Sequence, residues 1–395
     1  MVGDNLARRH LHLPTVRDRM MKQLRELSWL AHAPEATAKA VMDRNAGKGP
    51  GFEALRLWLA LCVLLVHSFA VAQYDQGLPQ LLWSGPLRPF LLAILPMFFA
   101  LSGFLVAGSA VRAPSAKTFL ALRLLRLWPA LAVEVTLSAL VLGPILTVVP
   151  LHQYFSDPLF LSYFGNIIGH VQFSLPGVFT AVPMQGIVNL NLWTLTPEYY
   201  CYAFIFILML SGALFDRLKL TVIAGIMFAI LGLGNSFLHL GESDTMYGAP
   251  ALLMSFVAGA CAYSWREHIV IRDDFFALAV ITLYAAWSFR GTMALGLLPL
   301  IYCMVYLGMR SLPRLKWLSQ GDYSYGIYLY GFPIQQMLVE VFPTLKVWWA
   351  LFPAAALIVT VLAMASWHFI ERPALSLKRF VTPDHAPAGG APFRS

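Results

Sequence analysis

Ten apolar stretches set the limits on what this chain can become. They run over about 53–73, 89–111, 124–149, 192–214, 219–239, 246–265, 275–290, 292–309, 324–342 and 347–370. Each is close to the roughly 17–25 residues that one bilayer crossing needs. In hydrocarbon every backbone N–H and C=O must be satisfied within the protein, so such stretches become helices. Only 12% of the 395 residues are charged and 58% are hydrophobic, whereas a soluble domain carries about 25% charged residues. The chain therefore reads as an all-α, polytopic integral membrane protein of about ten transmembrane helices, with residues 51–372 as the membrane-embedded domain.

The placement of cations orients those helices. Of the 28 Lys and Arg, 24 fall in the N-terminal arm, in 112–126, 217–219, 266–272 and 310–316, and in the C-terminal tail. Only Arg88, Arg290 and Lys346 fall on the other side. Cytoplasmic loops carry the excess of Lys and Arg, which puts both termini in the cytoplasm. The net charge of +8 is thus a topology signal, and no nucleic-acid partner is expected. Residues 1–50 read as a basic cytoplasmic arm without a secretory signal pattern. Within it, Met20, Met21, Leu24 and Leu27 oppose Arg17, Arg19, Lys22 and Arg25, the pattern of a helix lying on a membrane surface; a partly disordered arm fits the same composition. Residues 373–395 read as a disordered cytoplasmic tail.

No Lys or Arg occurs from Leu127 to Asp216, which places the long segment 150–191 outside. Its His152, Tyr154, Asp157, Tyr163, Asn166, His170 and Gln172 are the aromatic and neutral polar kind that suits sugar binding. Cys62, Cys201, Cys261 and Cys303 all sit in apolar runs and read as packing residues. The ten histidines lack zinc-site spacing, so no metal is expected.

Titratable groups in apolar runs are costly and usually serve a function. The first run carries Arg56 and His67. Eleven helical steps bring them onto one face, about 16 Å apart along the axis. His67 then lies deep in the membrane and Arg56 near the cytoplasmic mouth. Glu198, in the fourth run, is expected at the depth of His67. There it would pair with the imidazole and orient it as a general base. Arg123 and Arg126 are i, i+3 neighbours at the cytoplasmic start of the third run. With Arg56, Arg112 and Lys117 they suit a phosphorylated cytosolic ligand; plain charge anchoring is the simpler reading of those residue types. Ser102-Gly103 permits close helix approach. Tyr325 and Tyr328 share a helix face and could line a tunnel.

Together these pieces resemble the acyltransferase-3 family of membrane O-acyltransferases, which includes O-antigen and Nod-factor acetylases. The resemblance rests on six motifs in order: Arg56-x10-His67, FFALSGFL (98–105), RLLRLWP (123–129), LWTLTPEYY (192–200), YSYGIYLYGFP (323–333) and Glu371-Arg372-Pro373. It covers about 51 to 380. It implies a cytosolic acyl-CoA donor, usually acetyl-CoA, and an acceptor hydroxyl on a carbohydrate or glycolipid at the extracytoplasmic face of a bacterial inner membrane. It makes His67 the base or acyl-relay residue, Arg56 its partner nearer the donor and Glu198 the motif's acid. Arg123 and Arg126 contact CoA or hold the site together, and Trp193, Tyr325 and Tyr328 are taken as substrate-binding. The chain departs from the family in having Glu53 where Asp is common, and Gly331 where many members have His.

The expected reaction is acyl transfer, directly or through an acyl-histidine. One membrane domain does the whole job or hands its acyl group to a partner; a second copy of the chain and glycan-assembly proteins are the candidate protein partners. The rival is a transporter or glycan exporter, which would move substrate without consuming acyl-CoA.

Overall fold

Each of the ten apolar stretches carries a helix in the computed structural model, which describes residues 36–73, 77–238, 242–243, 246–289, 293–313 and 321–381. The helices are α1 (Ala38–Arg44), α2 (Phe52–Gln73), α3 (Leu78–Ser84), α4 (Arg88–Arg112), α5 (Ala116–Leu137), α6 (Leu195–Leu210), α7 (Arg217–Leu238), α8 (Ala249–Ser264), α9 (Asp273–Trp287), α10 (Met293–Met309), α11 (Ser324–Val341) and α12 (Trp348–Ser366). Short helical turns connect several of them. Among the described residues, four helices are long and apolar enough to cross a membrane by length and composition. They are Phe52–Gln73, Arg88–Arg112, Ala116–Leu146 and Trp348–Phe380. The amphipathic pattern of Arg17 to Trp29 lies outside the described residues, as does the end of the tail from 382. Helix continues beyond the expected boundary at 372, through Arg372–Ser376 and Lys378–Val381.

Close helix contact is made where side chains are smallest. On α4, a Cβ at Gly103 would strike the backbone carbonyl of Phe256 on α8; on α8, a Cβ at Gly259 would strike that of Ala100. The reciprocal pair brings the two backbones together, as small residues do in membranes. Gly103→Val should force α4 and α8 apart and cost about 1–3 kcal/mol, the usual penalty of overpacking. Its thermal midpoint in detergent should fall below that of the parent chain.

Two π-helical turns bend the bundle at buried acids. One, Ser138–Leu142, follows α5, and its Ser138 Oγ donates to Glu134 Oε1 at 2.9 Å. The other, Trp367–Glu371, follows α12 and leaves Phe369 81% exposed while Glu371 is only 1% exposed. Such turns re-aim side chains and recur at functional sites.

The segment after α5 is packed against the bundle. Leu175, Val178, Phe179, Val182 and Val188 are buried, as are Asn189, Asn191 and Leu192. The chain re-enters the protein before α6 begins, so the helix expected from 192 starts only at Leu195. Several polar residues expected to bind sugar make hydrogen bonds that fold this segment. Tyr154 Oη donates to the Ala139 carbonyl at 2.7 Å, Asp157 accepts from the Leu159 amide, and Asn166 donates to the carbonyls of Tyr163 and Gln172. His152 and His170 remain exposed.

One end of the fold is pinned by a two-residue strand pair, with Ala36 opposite Ile271 and Thr37 opposite Val270. Thr37 caps α1, its hydroxyl accepting from the Ala40 amide. The turn from α1 to α2 is fixed by glycines. Gly47 has φ +76°, and a Cβ on Gly49 would lie 2.6 Å from the Gly308 carbonyl of α10.

Candidate functional site

Two cavities in the bundle separate the residues that the sequence singles out. The first, about 140 Å³, is lined by Arg56, Ser102, Arg123, Arg126, Glu198, Tyr202, Tyr325 and Tyr328 among others. The second, about 310 Å³, is lined by His67, Trp83, Met184, Trp193 and Tyr328 within a largely apolar wall. Leu95 and Tyr328 are the two residues lining both. We refer to them as the arginine cavity and the histidine cavity.

The arginine cavity rests on an ion-pair network that joins four elements. Asp322, in the turn ahead of α11, accepts through Oδ2 from Arg56 Nη1 of α2 at 2.9 Å and from Arg126 Nη2 of α5 at 2.6 Å. Arg126 Nη1 donates to Glu371 Oε2 at 2.9 Å. Ser324 donates to Asp322 Oδ1 and Ser366 to Glu371 Oε1. Arg126 also lies over the rings of Tyr325 and Trp367. Burial alone would raise the Asp322 carboxyl from its ordinary 3.8, but the Arg56 and Arg126 guanidiniums outweigh it and hold it down to about 2. The stability this depressed carboxyl contributes is therefore complete above its ordinary range and fades only as pH falls towards 2.

The i, i+3 arginines share a face, as the spacing requires, but do different work. Both terminal nitrogens of Arg126 are taken by carboxylates. Arg123 donates to Ser109 Oγ at 3.1 Å, and its buried Nε has no hydrogen-bond partner. A buried guanidinium that lacks a carboxylate partner is costly, so Arg123 is the arginine of this pair suited to an incoming anionic or carbonyl group.

Glu198 stands in the arginine cavity, and the pairing with His67 expected from depth is not formed. Tyr202, one turn along α6, donates to Glu198 Oε1, and Arg123 and Arg126 act on it electrostatically. His67 Nδ1 is buried without a hydrogen-bond partner. Asn189, Asn191 and Leu192 are already buried ahead of α6. Trp193 lines the cavity of His67, and Glu198, further along the chain, lies among the arginines.

His67 is held by packing and by its backbone. Its ring meets Phe332 of α11 edge-on at 5.2 Å. Gln335 Nε2 donates to the Leu64 carbonyl and to Ser68 Oγ, both at 2.7 Å, and so clamps the α2 turn that carries the histidine. Gly331 brings α11 against Leu64, where a Cβ would lie 2.9 Å from its Cδ1. Gln336 donates to the Met184 and Ile187 carbonyls, which fastens the wall of the histidine cavity.

Tyr328 stands between the cavities, with its hydroxyl 2.7 Å from Thr194 Oγ1. Tyr325 lines the arginine cavity alone, and its hydroxyl donates to the Leu127 carbonyl at 3.0 Å. Beneath the wall, Asn189 Nδ2 bridges Glu134 Oε1 and the Leu329 carbonyl.

Sequence reasoning assigned no role to Asp322, Glu371, Gln335 or Glu134. Signals for three of them were present. Gln335-Gln336 is a pair of amides in an apolar helix, Glu134 is an acid in a run without Lys or Arg, and Glu371 closes the last apolar run.

The sequence matches a family model described as an acyltransferase domain over residues 50–368. An O-acetyl transferase of Shigella phage Sf6 is 26% identical over 350 residues, covering 84% of this chain and 96% of that protein. Nodulation protein 10 of Rhizobium leguminosarum bv. viciae is 26% identical over 370 residues, covering 85% of this chain and 96% of that protein. No solved structure matches.

Proposed function

Because this chain belongs to the acyltransferase-3 family and is an O-acyltransferase, we propose that it moves an acyl group, acetyl in the first instance, from cytosolic acyl-CoA to a carbohydrate or glycolipid hydroxyl on the extracytoplasmic side of a bacterial inner membrane. The proposed topology has ten crossings and cytoplasmic termini. It is supported by the cation distribution and by a helix on every apolar stretch.

The observation that carries the reading is the pair of cavities meeting at Leu95 and Tyr328, with cations in one and an imidazole in the other. The thioester arm of the donor enters the arginine cavity, where Arg123 contacts it. Arg56, Arg126 and Glu198 are positioning residues that hold the walls. The acceptor hydroxyl enters the histidine cavity beside Trp193. His67 takes the hydroxyl proton as the oxygen attacks the thioester carbonyl carbon. The carbon–sulfur bond then breaks, and the departing sulfur takes up the proton held by His67.

The test is transfer of labelled acetyl from acetyl-CoA to glycan by the purified protein. Label transfer with release of CoA is expected, and glycan movement without CoA release would support an exporter instead. Tyr328 must let the thioester reach the histidine cavity. Tyr328→Trp should therefore cut transfer about 100-fold, the cost of misplacing reacting groups by about 1 Å. A full rate from a well-folded Tyr328→Trp protein would contradict this path.

A further inference from the structure

A third cavity opens beside Arg56, at the end of α2 away from His67. It measures about 170 Å³, and Lys48, Glu53, Arg56, Leu105, Arg112 and Tyr263 are among its lining residues. Arg56 and Leu105 also line the arginine cavity, so the two adjoin there. Three cations face this mouth against a single acid. Arg56 is committed to Asp322. Lys48 and Arg112 are exposed and form no ion pair among the described residues.

The fold fixes where each is presented. Lys48 sits on the glycine turn between α1 and α2, its amide donating to the Asn45 carbonyl, and the Gly49 contact with α10 fixes that turn. Arg112 ends α4 and reaches back along it, with Nη1 3.4 Å from where a Cβ of Gly108 would stand. Charge anchoring alone needs cations near a membrane surface. It does not require them to converge on a polar hollow that adjoins the arginine cavity.

We infer that this mouth seats the phosphate groups at the nucleotide end of the donor, with Lys48 and Arg112 as phosphate-binding residues. The pantetheine arm then passes Arg56 and Leu105 into the arginine cavity. The inference rests on the acyl-CoA reading above. Ammonium and guanidinium groups form charge-assisted hydrogen bonds to phosphate oxygens, and at an exposed mouth these weaken as salt rises.

The experiment titrates the full-length protein, in phosphatidylcholine nanodiscs, with CoA and with pantetheine. The parent chain should prefer CoA, and the preference should shrink with salt. Lys48→Glu or Arg112→Glu should lower the ratio of CoA to pantetheine affinity about tenfold to a hundredfold, the worth of one or two charge-assisted hydrogen bonds. Alanine at either position should lower it in the same direction, which keeps the test available if a charge reversal fails to fold. An unchanged ratio in folded variants overturns the inference. A second arm uses phosphatidylglycerol nanodiscs. If the substitutions alter only the response to that lipid and leave CoA affinity intact, the cluster is a lipid-headgroup anchor and the inference is wrong. A parent protein that binds no CoA removes the donor reading itself. A parent that binds CoA and transfers acetyl, beside variants that behave identically, removes only the mouth.

Discussion

His67→Ala should reduce O-acylation about 100- to 10,000-fold, the range that a positioned general base contributes. The reasoning is local. His67 is the one histidine lining either inner cavity, and Gln335 clamps its helical turn from α11. Among the described residues no carboxylate pairs with it, so the substitution leaves no partner charge stranded, and the bundle should fold as before. The measurement is acyl content of polysaccharide or glycolipid extracted from cells, read against the amount of protein in the membrane. Normal acylation at a normal protein level would remove His67 from the chemistry. Loss of the protein itself would point to packing against Phe332 as the reason for the residue.

The second large effect is expected at Asp322. Asp322→Asn removes the one carboxylate that Arg56 and Arg126 share. Removing one partner of a buried ion pair costs about 3–5 kcal/mol because it leaves charge without compensation. The side chains of Asp322 and Arg126 keep 19% of their surface exposed and that of Arg56 25%, so the cost should fall near the lower figure. The variant should show a lower thermal midpoint in detergent and reduced transfer, as Arg56 and Arg126 reorient in the cavity. Because the Asp322 carboxyl is held down to about 2, it should stay ionised between pH 5 and pH 8, and a stability change in that window must arise at another group. An unchanged midpoint with full activity would show that the network is incidental.

These two sites differ in how far the sequence announces them. His67 and Arg56 stand out because a titratable group in an apolar run is conspicuous and because helical geometry alone puts them on one face. Asp322 does not stand out. It lies in a polar turn, and its partners are 266 and 196 positions away in the chain. Glu198 is legible as an important acid, but its partner is not: it pairs with Tyr202 and lines the cavity of the arginines, not that of His67.

The sequence by itself determined the helical, membrane-suited character of this protein, its family and the titratable residues Arg56, His67, Arg123, Arg126 and Glu198 that line the cavities. Local chemistry suffices for these: apolar runs need internal hydrogen bonds, and spacing along one helix sets which residues share a face. Only the tertiary structure decided which charges meet. It gave Arg126 to Asp322 and Glu371, left Arg123 open to the cavity, drew Glu198 away from His67 and set Tyr328 between the two chambers. Those outcomes depend on how separate helices pack and where the chain re-enters the bundle, which no spacing within one helix encodes.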